Sequence, residues 1–183
     1  MAVTSAGRWS FVSLVDSVAV LRAGGGAVPS LVRTIGVPAS GALGEALTSA
    51  GRYLVVAGLS GAEVISVARA EQGRPHATAG TLTAPDAMGA IEVALSPGGR
   101  YAFVSIEYSH EIAVFSLQRA LTRGFGPPDF VGSIPAGQEP VGPGAVTGRP
   151  VALCDQRARG RDAAVWRRPG RPWKPGGHRC AAG

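Results

Sequence analysis

A single eight-residue motif recurs along the chain and constrains the fold more than any other feature. Ala2-Val3-Thr4-Ser5-Ala6-Gly7-Arg8-Trp9 returns as Ala46-Leu47-Thr48-Ser49-Ala50-Gly51-Arg52-Tyr53, and again as Ala94-Leu95-Ser96-Pro97-Gly98-Gly99-Arg100-Tyr101. The Gly-Arg pairs lie 44 and 48 residues apart, and a fourth, Gly148-Arg149, follows after another 49. Each of the first three opens an apolar run, a short polar turn and a second apolar run: WSFVSLV and SVAVLRA, YLVVAGL and AEVISVA, YAFVSIE and EIAVFSL. These runs are rich in Val, Ile, Phe and Tyr and lack helical spacing, so they predict strands. A final short strand closes each unit, as LVRTIGV, TAGTLTA and FVGSIPA.

Four antiparallel strands in a repeat of this length describe a propeller blade with a WD40-like period. The small residues of Ser-Ala-Gly and Ser-Pro-Gly-Gly predict a tight hairpin between the first two strands, with Gly supplying positive φ. A parallel solenoid would lack these alternating turns. The predicted fold is therefore all-β: a partial β-propeller of about three four-stranded antiparallel blades. The blades are expected at residues 1–41, 42–88 and 89–142, followed by a disordered basic tail at 143–183.

The segment ALSPGGRYAFVSIEYSHEIAVFSL resembles the YVTN-type, lactonase-like propeller repeat, whose pattern runs SPDGRYLYVTN…VSVID. IPAGQEPVG resembles that family's fourth strand and the loop entering the next blade. The resemblance covers residues 1–142 and is strongest from Glu92 to Gly142. It implies a fold shared by sugar-lactone hydrolases, periplasmic binding proteins and surface antigens, usually closed as a ring of about seven blades. Three blades without closure imply two bare apolar blade faces, and hence self-association.

Charge divides the chain differently from the repeats. Of 18 Lys and Arg and 12 Asp and Glu, nine basic and two acidic residues fall in 143–183, giving the tail +7 and the rest −1. The fourth Gly-Arg arrives on schedule, but PGAVTGRPVALCDQR surrounds it where LALSPDGRWLYVTSE is expected. Codon degeneracy permits all fifteen expected residues one base out of phase. Residues 143–183 therefore read as an out-of-frame product, caused by a one-base insertion near Gly142 or a sequencing error. The segment RARGRDAAVWRRPGRPWKPGGHR would hold nucleic acid only nonspecifically, through its cations. Cys154, His178 and Cys180 do not have zinc-hook spacing. No apolar run approaches the roughly 18 residues of a membrane helix. The start MAVTSAGRWSF has no basic region followed by an apolar stretch, which makes the cytoplasm the default compartment, although related propellers are often exported.

Catalytic motifs are scarce. GLSGA fails the G-x-S-x-G pattern at its last position and places Ser60 in a hairpin. Gly24-Gly25-Gly26 has no following Lys-Ser/Thr and is no phosphate loop. His76 falls in the polar loop RPHATAG and is expected to be solvated. Blade topology opens the second-to-third-strand turns and the blade-to-blade connections on one face. That face collects Asp86, Glu92, Glu107, Tyr108, His110, Gln138 and Glu139 as a candidate ligand site. His110 is positioned to serve as a base, and the carboxylates to hold a divalent metal or poise a water. No other cofactor is expected.

The favoured function is a binding or interaction scaffold without catalysis, its partner a small molecule or a protein. The alternatives are a sugar-lactone hydrolase and a basic-tailed nucleic-acid binder.

Overall fold

The computed structural model describes residues 1–24, 27–37 and 44–136, together with the backbone of 152–154 and 163–165. Three four-stranded antiparallel sheets follow one another along the chain, each in simple sequential order. The first comprises β1 (Ala2–Val3), β2 (Trp9–Ser13), β3 (Ser17–Gly24) and β4 (Ala27–Gly36). The second comprises β5 (Glu45–Leu47), β6 (Tyr53–Gly58), β7 (Gly61–Ser66) and β8 (Thr78–Thr83). The third comprises β9 (Ala90–Leu95), β10 (Ala102–Ile106), β11 (Glu111–Phe115) and β12 (Phe130–Pro135). This is the partial β-propeller that the repeat predicts. A further antiparallel pair, β13 (Ala152–Cys154) and β14 (Ala163–Val165), sets Ala152 opposite Val165. The remaining residues of 143–183, and with them the expectation of a disordered tail, lie outside the described residues.

Hydrogen bonds explain why the motif repeats. In each hairpin the hydroxyl of Thr4, Thr48 or Ser96 accepts the backbone N–H of the aromatic five residues on, at 3.3, 3.1 and 3.0 Å. The carbonyl of the same hydroxyl residue accepts the N–H of Gly7, Gly51 or Gly99. Those three glycines have φ of 66°, 65° and 66°, a conformation that costs an L side chain about 1–2 kcal/mol. The arginine contributes its carbonyl, which accepts N–H from Ala23, Val67 and Gln118 in the three sheets.

Two short helices depart from the strand-only expectation. The apolar run AEVISVA leaves the sheet after Ser66 and enters α1 (Val67–Glu71), and EIAVFSL enters α2 (Leu117–Arg123) after Ser116. Val67, Ala70, Leu117 and Ala120 are buried, so each helix extends the apolar face of its strand. Alternating strand residues cannot distinguish this continuation from more strand. A single 3-10 turn, Pro127–Asp129, then leads into β12, with buried Asp129 accepting the Gly126 N–H at 2.9 Å.

Packing is blade on blade. Phe11, Val18, Val20 and Ile35 of the first sheet share a core with Leu54, Val56 and Ile65 of the second. Val55, Val64 and Leu82, on the other face of the second sheet, meet Ala102, Val104 and Phe115 of the third. The ends of the array differ from the expected pair of bare faces. On the first sheet Val3 and Leu31 are 47% and 61% exposed, whereas Phe103, Ile112, Val114 and Ile134 on the far face of the third are buried.

Candidate functional site

The loop face is built by one hydrogen bond repeated in every sheet. The residue after the fourth strand donates to the carbonyl of the turn between the second and third strands: Val37 to Asp16, Ala84 to Ser60 and Ala136 to His110, at 2.9, 2.9 and 2.8 Å. Adjacent blades are then stitched together, since Gly89 N–H donates to Leu59 and Glu107 N–H donates to Gly89 at 2.8 Å. The segment 84–89 is thereby clamped between two turns. Propeller connectivity thus gathers residues that lie far apart in sequence onto one surface.

Of the seven expected site residues, five fall among those described. Glu107, Tyr108 and His110 share the β10–β11 turn, where His110 has φ 52° and its N–H donates to the Glu107 carbonyl at 3.2 Å. Tyr108 is 73% exposed and lies over Gly89, so closely that a Cβ on Gly89 would stand 2.7 Å from its ring. Asp86 sits on the clamped segment with φ 55°. The backbone therefore brings Asp86, Glu107, Tyr108 and His110 to one end of the blades.

Glu92 is placed apart from that group. It lies in β9 opposite Ser105, whose hydroxyl accepts its N–H at 3.1 Å, and its side chain reaches back to the second sheet. A Cβ on Gly44 would stand 2.6 Å from the Glu92 carboxyl carbon. Burial raises its carboxyl above the ordinary value, an effect opposed by the Val93 backbone and reinforced by the nearby Glu45 charge. Gln138 and Glu139 lie outside the described residues. Among the described residues, no three His, Cys, Asp or Glu are grouped to hold a metal ion.

Two carboxylates escaped the sequence reading. Glu45 opens β5, with its side chain fully buried and its Oε1 2.6 Å from the Met1 amino group. Its position three residues before the hairpin threonine marks an inner strand, a signal present in the repeat register. Glu63, inside β7, is 3% exposed in a run that otherwise reads as apolar. Both lie on the strands, whereas the sequence reading collected its candidates by topology, around the loops.

The fold is a partial β-propeller. Two solved structures share it. One is a candidate 6-phosphogluconolactonase from Bacteroides fragilis, with TM-score 0.61 and 16% identity over 77% of this chain. The other is the periplasmic gluconolactonase of Pseudomonas aeruginosa, with TM-score 0.61 and 22% identity over 75% of this chain. The chain spans 39% of the length of each. No protein-family model matches the chain, and no curated protein does.

Proposed function

We propose that the chain is a section of a lactonase-like propeller whose loop face opens a sugar lactone. The observation that carries this reading is the shared fold, across three-quarters of the chain, with two proteins whose names describe gluconolactone chemistry. Lactone hydrolysis needs a group that takes a proton from the attacking water and one that returns it to the ring oxygen. Glu92, with its carboxyl raised by burial, suits proton exchange closer to neutral pH than a solvated carboxylate does. The substrate must span from Glu92, on the inner strand, to His110 and Glu107 on the β10–β11 turn, where Asp86 and Tyr108 complete the proposed lining.

The test follows hydrolysis of glucono-δ-lactone by base uptake at constant pH, with the spontaneous rate subtracted. Turnover that falls at least tenfold in Glu92→Gln or His110→Asn, with the fold retained, supports the proposal. Turnover that survives replacement of Asp86, Glu92, Glu107, His110 and Glu139 by Ala overturns it. A second reading, a binding scaffold without catalysis, is favoured by the separation of Glu92 from His110 and Glu107. A folded chain with no turnover above background supports this second reading.

A further inference from the structure

At the end of the blades opposite the loop face, the motif places two arginines around one groove. A depression of about 380 Å³ runs between the first and second hairpins, lined by Arg8, Trp9, Arg52, Tyr53, Ser66 and Glu71 among others. Arg8 and Arg52 are exposed, and among the described residues no ion pair joins either of them to Glu71. Trp9 and Tyr53 are half-buried and present apolar surface to the groove, with the Arg22 guanidinium 5.8 Å from the centre of the Trp9 ring. Ser66 precedes α1 without capping it through its side chain.

The chain holds its own comparison for this groove. The equivalent end of the second and third blades carries α2 in place of α1, again preceded by an uncapped serine and again with its first and fourth residues buried. The fifth helical residue differs. In α2 it is Leu121, which packs with Phe125 against the shared core, and Phe125 lies against Gly80 of the second blade. In α1 it is Glu71, which lines an open groove. Apolar residues therefore pack the crevice between blades two and three, while charge and aromatic edges line the one between blades one and two. Packing alone would favour a leucine at both positions.

We propose that this groove binds a small organic monocarboxylate with a planar or apolar body. Arg8 and Arg52, which line the same groove, would hold the carboxylate, since guanidinium forks match carboxylate oxygens. Trp9 and Tyr53 receive the body. Glu71 offsets one of the two positive charges and selects against ligands of higher negative charge. The groove lies at the far end of the blades from the loop face, so this inference is independent of the lactonase reading.

The experiment titrates the full chain with benzoate and follows backbone amide shifts by NMR, with citrate and inorganic phosphate as comparison ligands. Saturable benzoate shifts confined to residues 5–9, 50–53 and 66–71 are expected. Arg8→Gln and Arg52→Gln should each weaken binding about tenfold, the scale of one charge-assisted hydrogen bond. Glu71→Gln should strengthen citrate binding more than benzoate binding. Arg8→Lys and Arg52→Lys keep the charge and lose the fork, so weakening there shows that geometry matters as well as charge. Shifts spread over all surface arginines, shifts that never saturate, or affinity unchanged in the Gln variants would each overturn the proposal.

Discussion

Thr81 donates its hydroxyl hydrogen to Glu63 Oε1 at 2.6 Å, across the pairing of β7 with β8. Burial raises the Glu63 carboxyl above its ordinary value of 4.5, and this hydrogen bond opposes the rise only in part. The folded chain therefore keeps a proton that the unfolded chain releases, and stability declines as pH climbs above about 4.5 toward the folded value. Below that range both states are protonated and the contribution vanishes. Glu63→Gln should raise the melting temperature at neutral pH and flatten the fall that begins above about pH 4.5. Thermal melts of the two proteins across that range provide the check, and parallel curves would contradict it. Glu92 shifts in the same direction and leaves a residual slope in the variant.

Gly61 pairs with Thr83 at the tight β6–β7 turn, and a Cβ there would run into the Leu82 carbonyl and stand 3.3 Å from the Phe115 ring. Gly61→Ala should cost about 1–3 kcal/mol through overpacking. Gly51→Ala meets open space but must hold φ at 65°, which costs about 1 kcal/mol. Denaturant unfolding should rank the first variant below the second.

The open face of the first sheet carries Val3, Val12, Leu21 and Leu31 beside Ser10 and Thr34, whereas Arg22 and Arg33 lie on the face toward the second sheet. A solvent-facing sheet surface ordinarily alternates in polar side chains, and this one is largely apolar. Self-association through it is expected. The paired substitution of Val3→Glu and Leu31→Lys should shift the mass seen by light scattering toward the monomer. An unchanged oligomer would locate the contact elsewhere.

The out-of-frame reading of residues 143–183 makes a prediction at the level of the gene. Removing one base near the Gly142 codon should yield LALSPDGRWLYVTSE and then further blades of similar period. Sequencing across that codon decides the matter, and a stop codon met directly in the restored frame would overturn it.

The repeat alone determined the blade count, the strand order and the hairpin chemistry, because each rests on contacts within about fifty residues. Thr48 and Tyr53, or Ser96 and Tyr101, meet five residues apart, and their residue types state the turn. The gathering of Asp86, Glu107 and His110 at one end was also legible, since strand direction alone fixes which loops share a face. Tertiary structure decided the rest. Whether Val67 and Leu117 continue a strand or start a helix depends on the neighbouring blade that buries them. That Glu92 leaves its expected companions for Gly44 depends on how the second and third inner strands approach, a contact spanning two repeats. The groove at Arg8 and Arg52 likewise exists only because two hairpins 44 residues apart stand side by side, a distance that local residue pattern does not encode.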